Sequence, residues 1–170
     1  WIEDKTNDKI VDMLDFIPGN VVMYLINAIY FNAPWKYEFD KGDTYEGDFY
    51  LSDGTRHLTD FMRVSGDFVY TSNEDFTAVE LPYGDSTFSM VVMLPSPGKG
   101  ISELVASLDI EKWERWFENS IYTNVKVDLP KFSYEFKKLL NEPLINLGLG
   151  VAFSGEADFT KITSPGGIYI

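Results

Sequence analysis

Between Pro18-Gly19 and Pro34 the sequence runs Val21-Val-Met-Tyr-Leu-Ile-Asn-Ala-Ile-Tyr-Phe31, with Asn27 the one amide among apolar and aromatic neighbours. Apolar and polar residues do not alternate, so a strand with one wet face is excluded. The run is rich in Val, Ile and Tyr and is bounded by helix breakers, which predicts a strand buried on both faces rather than a core helix. Each large side chain contributes about 1.5–3 kcal/mol if fully buried, and an unpaired Asn27 costs about 1–3 kcal/mol. Such a ribbon needs covering layers and strand partners on both flanks.

A chain of 170 residues, 45% apolar and 16% aromatic, is long enough for one globular domain with a core and short for two. The sequence contains no apolar run long enough to cross a membrane as a helix and no signal-peptide pattern. It begins on Trp1, so residue 1 is not expected to be the native start. With no cysteine, disulfides and thiol chemistry are excluded, and no Asn-x-Ser/Thr sequon occurs. Of the net charge of −13, most lies in residues 38–85, which hold twelve of the 27 acids and three of the 14 bases. That acidic middle repels phosphate backbones and anionic lipid, so neither nucleic acid nor membrane is an expected partner. Its carboxylates lack calcium-loop spacing and read as a solvated face.

Along the chain, residues 1–16 read as a helix end and connector, broken at Ile17-Pro-Gly-Asn20. Residues 45–95 read as short strands. Ser52-Asp-Gly-Thr55 turns a hairpin between Asp48–Leu51 and His57–Met62, and Phe68–Thr71, Phe76–Tyr83 and Thr87–Leu94 follow as a meander. Met90-Val-Val-Met-Leu94 predicts a second fully buried strand. Residues 101–120 predict two helices, capped by Ser102 and Asp109, with Leu104, Val105 and Leu108 inward on the first and Trp113, Trp116 and Phe117 on one face of the second. Val125, Val127 and Leu129 alternate with polar residues in a strand region over 122–140. In 141–170, Asn141 caps a short helix that Gly148 ends.

Catalytic chemistry has little to work with. His57 is the only histidine and stands in a charged hairpin arm beside Arg56, so no Ser-His-Asp site is expected. Asp40/Asp43 and Glu74/Asp75 read as turn and surface carboxylates, Gly98-Lys-Gly100 lacks phosphate-loop spacing, and no cluster has zinc spacing. Neither an enzyme nor a cofactor is expected.

Three segments carry a family resemblance, in order along the chain. The first is Trp1-Ile-Glu-Asp-Lys-Thr-Asn-Asp-Lys-Ile10, followed by Leu25-Ile-Asn-Ala-Ile-Tyr-Phe31, Trp35 and Phe39. The second is Val79-Glu-Leu-Pro-Tyr-Gly84 with Phe88-Ser-Met-Val-Val-Met-Leu-Pro95. The third is Leu129-Pro-Lys-Phe132, Leu139-Leu-Asn-Glu-Pro-Leu-Ile-Asn-Leu-Gly148, Val151-Ala-Phe-Ser154 and Ala157-Asp-Phe159. Together they resemble the central part of a serpin, with Asp8 where Gly is usual and Gly150-Val151 where a polar pair is common.

The resemblance implies an incomplete α+β serpin fold in which 21–31 is the third strand of the main sheet. It implies a suicide inhibitor of serine or cysteine proteases, in which a cleaved reactive loop inserts beside that strand. Leu25, Ile26, Ala28, Ile29, Tyr30 and Phe31 are then the insertion edge, Asn27 the shutter residue and Trp35 a breach residue. Lys131 belongs to the sixth strand, near the base of the reactive loop. The implied partners are a target protease and the remaining serpin segments, or a second chain paired along the ribbon. A secreted protein is implied, with an intracellular serpin the alternative. The reactive loop is expected to follow Ile170, so the 170 residues alone are not expected to inhibit. A non-inhibitory carrier, chaperone or storage serpin, and a β-rich module that binds by strand addition, stay open.

Overall fold

The computed structural model describes residues 1–11, 16, 19, 21, 26–134, 136, 138–162 and 169–170. Contacts divide the chain into two compact units, one of residues 32–132 and one of residues 1–31 with 133–170.

The 32–132 unit is built on strand β2, Arg56–Ser72, seventeen residues long. Strand β1, Tyr45–Tyr50, pairs antiparallel with its first part, placing Tyr45 opposite Phe61 and Tyr50 opposite Arg56. Gly54 takes φ +81° in the connecting turn, a left-handed conformation that glycine adopts without steric cost. Strand β3, Phe76–Pro82, pairs with the far end of β2, and β4, Ser89–Pro95, pairs with β3. Strand β5, Ile121–Pro130, runs antiparallel along the middle of β2, from Phe61 opposite Pro130 to Tyr70 opposite Ile121. The two segments expected as separate strands at 57–62 and 68–71 are therefore one. Ser65-Gly66-Asp67, which lies between them, is spanned by the β5 ladder.

One apolar cluster gathers Val64, Phe68, Leu81, Val127 and Leu129 on one face of the sheet, under Trp35, Tyr37 and Phe39. A second gathers Phe76, Ala78 and Leu104 under Trp116 and Phe117. Its cover is helix α2, Ile101–Ala106, and helix α3, Ile110–Glu118. Ser102 does not cap α2, which starts after Gly100 with no side-chain cap, so Ser102 falls within its first turn. Only Leu104 of the expected inward set is buried, while Val105 and Leu108 are exposed. Asp109 does cap α3, accepting from the Lys112 N–H at 2.7 Å. Trp116 meets Phe76 edge-on at 4.7 Å and Trp113 stays exposed beside Phe117. The expected full burial of Met90–Leu94 is not found, since β4 is half-buried and Leu94 is exposed. Its outer flank has no ladder among the described residues, and burial on two faces needs neighbours on both.

In the other unit, helix α1 covers only Ile2–Lys5. Thr6 closes it, its hydroxyl donating to the Ile2 carbonyl at 2.9 Å and accepting from the Ile10 N–H at 3.1 Å. Asn7 and Asp8 follow at φ +48° and +57°. The position where the family usually carries Gly is therefore left-handed here, a region Asn and Asp enter more readily than other side chains. Helix α4, Asn141–Leu144, starts after Leu140, so Asn141 is its first residue rather than its cap. A π turn over Ile145–Leu149 continues it until Gly148, at φ +97°, breaks the helix.

Ile29, Phe31, Phe132, Tyr134, Phe136 and Leu139 are large apolar side chains left exposed. Residues 1–170 expressed alone are therefore expected to associate and bind hydrophobic dye. A cooperative unfolding transition of a monomer in analytical ultracentrifugation would contradict this.

Asp109 yields a pH prediction. The backbone N–H of Lys112 holds its carboxyl below the ordinary 3.8, so its capping contribution is complete above 3.8 and fades as pH falls through the lower folded value. Asp109→Ala is expected to lower the thermal midpoint at pH 7, and the difference from the parent to shrink in strong acid.

Candidate strand-insertion edge and its aromatic clasp

The described part of the ribbon does not form the expected strand. Ile26 to Ala33 is neither helix nor ladder, and Asn27 is exposed. Ile26, Ile29 and Phe31 are exposed, Ile29 at 82%, while Ala28 and Tyr30 are half-buried. Leu25 lies outside the described residues. The physical reason is the one the composition imposes: a ribbon apolar but for Asn27 becomes a sheet interior only where strands flank it, and no ladder of the described residues includes Ile26–Phe31.

Beyond the ribbon the backbone is pinned. Trp35 bridges Tyr83 antiparallel, with Lys36 N–H donating to the Pro82 carbonyl and Gly84 N–H to the Pro34 carbonyl, each at 2.9 Å. The Trp35 and Tyr83 rings stack at 4.4 Å and 16°, and Phe39 meets Trp35 edge-on at 5.7 Å. Burial pushes the Tyr83 hydroxyl above its ordinary value. This clasp joins the start of the 32–132 unit to the β3–β4 turn.

Lys131 is not within a strand: β5 ends at Pro130 and Lys131–Tyr134 carries no strand assignment. One bond extends the pairing, from the Lys131 N–H to the Asp60 carbonyl at 2.8 Å, and the ammonium reaches the Asp60 carboxylate at 3.3 Å. Both side chains are about half exposed, so the pair contributes about 0–1 kcal/mol at most. The strand region expected over 122–140 therefore stops ten residues early among the described positions.

Trp35 and Lys131 line one groove of about 580 Å³ with Pro34, Glu38, Phe39, Lys41, Thr44 and Met62. The structure thus places Trp35, expected at the breach, and Lys131, expected near the base of the reactive loop, on one groove. Its floor is aromatic, and two ammonium groups and one carboxylate stand around it. Asn27 belongs to the other unit. His57 pairs across from Phe49 on the hairpin, Asp40 caps a turn by accepting from Gly42 N–H, and Asp75 binds Lys99 at 3.0 Å. No group of metal-ligating side chains occurs among the described residues.

The sequence profile described as serpin (serine protease inhibitor) matches residues 1–170. The chain belongs to the serpin family. Human Serpin B3 is 34% identical over the whole of this chain and 45% of its own length. An uncharacterised serpin-like protein of Methanosarcina acetivorans is 36% identical over 96% of this chain and 39% of its own. Among solved structures, the thermophilic serpin tengpin in its native state superposes with a TM-score of 0.90 at 34% identity, over all of this chain and 44% of tengpin. Emu ovalbumin superposes at 0.85 with 28% identity, over 97% of this chain and 44% of ovalbumin. The chain spans less than half the length of these relatives, and the α+β serpin fold expected from the three segments is the fold of these structures.

Three features around Trp35 and Lys131 were not legible: Tyr83 as the partner of Trp35, Asp60 as that of Lys131, and the bond from Lys36 to Ser86. Only the turn composition Gly84-Asp-Ser-Thr87 hinted that something specific happens after β3.

A double-mutant cycle tests the clasp. Trp35→Ala and Tyr83→Ala are expected to be non-additive by about 0.5–1.5 kcal/mol in urea unfolding of the full-length protein. Additive losses would mean that the stacking carries no coupling.

Proposed function

We propose that the protein carrying this chain is a suicide inhibitor of serine or cysteine proteases that traps its target by inserting a cleaved loop beside Val21–Phe31. The reading is supported by family membership over residues 1–170 and by Ile26–Phe31 being apolar but for Asn27 and in no ladder among the described residues. An edge of this kind gains both hydrogen bonds and apolar burial when a strand is added. Leu25, Ile26, Ala28, Ile29, Tyr30 and Phe31 receive the strand and Asn27 acts as the shutter amide. Trp35 acts at the breach and Lys131 near the base of the reactive loop, a reading supported by their common groove. The partners are then the target protease and the strands that complete the sheet. The protein is not an enzyme in its own right, and residues 1–170 by themselves do not inhibit.

Incubating the full-length protein with a panel of serine and cysteine proteases is expected to yield, with at least one, a covalent complex that survives SDS. Cleavage of the protein as an ordinary substrate by every protease tested would reject the reading in favour of a non-inhibitory serpin.

A further inference from the structure

The turn that receives the Trp35 clasp is held in an unusual conformation. Ser86 has φ +71°, a left-handed value that serine seldom adopts, and its N–H donates to the Tyr83 carbonyl at 2.7 Å. Asp85 fastens the same turn by accepting from the Thr87 N–H at 3.0 Å. In this conformation the Ser86 hydroxyl accepts from the Lys36 ammonium at 2.9 Å. Lys36 is the neighbour of Trp35, and Ser86 lies three residues after Tyr83. The bond therefore ties together the two segments whose rings stack, from a point outside the stack.

Lys36 has charged alternatives. Asp67 and Glu80 line the same small cavity of about 180 Å³ as Lys36 and Ser86. Yet among the described residues Lys36 forms no ion pair; its ammonium bonds the neutral Ser86 hydroxyl and lies 5.9 Å from the Tyr37 ring centroid. The bond that does form depends on the left-handed Ser86 backbone that presents the hydroxyl to Lys36.

We propose that Lys36 and Ser86 form a latch that holds the Trp35–Tyr83 clasp closed and thereby sets how readily the chain beside the insertion edge opens. The two are positioning residues acting through Trp35. The second half of this statement rests on the strand-insertion reading; the first does not.

Amide hydrogen exchange in the full-length protein tests the latch without requiring inhibition. Ser86→Ala and Lys36→Met are expected to speed exchange at the Lys36 and Gly84 amides about tenfold, the loss of one charge-assisted bond, with the β2–β5 ladder at Val64 and Val127 unaffected. Lys36→Arg keeps a donor and is expected to retain protection. Ser86→Gly relaxes the turn but lacks the hydroxyl, and is expected to exchange as fast as Ser86→Ala. Protection in Ser86→Gly equal to the parent's would overturn the latch, because turn geometry alone would then suffice. Unchanged exchange in Ser86→Ala and Lys36→Met, or equal acceleration everywhere, would overturn it too. The latch variants are further expected to convert about tenfold faster to an inserted, heat-resistant form. Faster local exchange with no such form ever appearing would keep the latch and count against strand insertion.

Discussion

Strand β2 is the member on which the 32–132 unit depends. Its seventeen residues take β1 on the first part, β3 on the last, and β5 along the middle. Val64 and Phe68 point from it into the larger cluster, and Thr71 anchors the helical cover by donating to the Trp116 carbonyl at 3.0 Å. On the other face Arg63 reaches Asp128 of β5 at 2.6 Å while its guanidinium lies 4.6 Å from the Tyr45 ring of β1. The bond to Asp128 raises the Arg63 value, and the contacts to Asp128 and Tyr45 place the cation between two strands. Gly47 leaves room for this arrangement, since a Cβ there would come within 3.0 Å of the Phe61 ring that stacks on Tyr45.

What the sequence made legible follows from how local each signal is. The Ser52–Thr55 turn, β3, the Asp109 cap and the Gly148 stop depend on residues a few positions apart, and each is present. The single length of β2 was hidden because Gly66 looks like punctuation, whereas the β5 ladder carries the strand through it. The burial of β4 was overstated for a related reason. Hydrophobicity records what a side chain tolerates, and exposure records which neighbours arrive.

The same distinction governs the candidate site. Trp35 was visible as a residue of note from its spacing after the ribbon, but its stacking partner is 48 residues away and no local pattern names it. Lys131 was assigned to a strand because Leu129-Pro-Lys-Phe132 resembles one in the family. In this chain the strand ends at Pro130, and a single bond from the Lys131 N–H to the Asp60 carbonyl carries the pairing one residue further. Its ion pair with Asp60 then depends on β2 and β5 lying side by side, a long-range fact.

The ribbon carries the last consequence. Between Val21 and Phe31 it has no charge, no proline and no glycine. These are the devices by which natural edges refuse unwanted strands. An edge without them cannot discriminate by its own chemistry, because backbone pairing is generic and apolar burial is non-directional. Any selectivity for one incoming strand must therefore come from how access is granted at the ends of the ribbon. The clasp of Trp35 on Tyr83, immediately C-terminal to it in sequence, is built of directional parts: a bridge, a stack and a side-chain bond. Under the proposed strand insertion, generic affinity along the ribbon would favour addition, and the directional clasp that follows it in sequence would delay it.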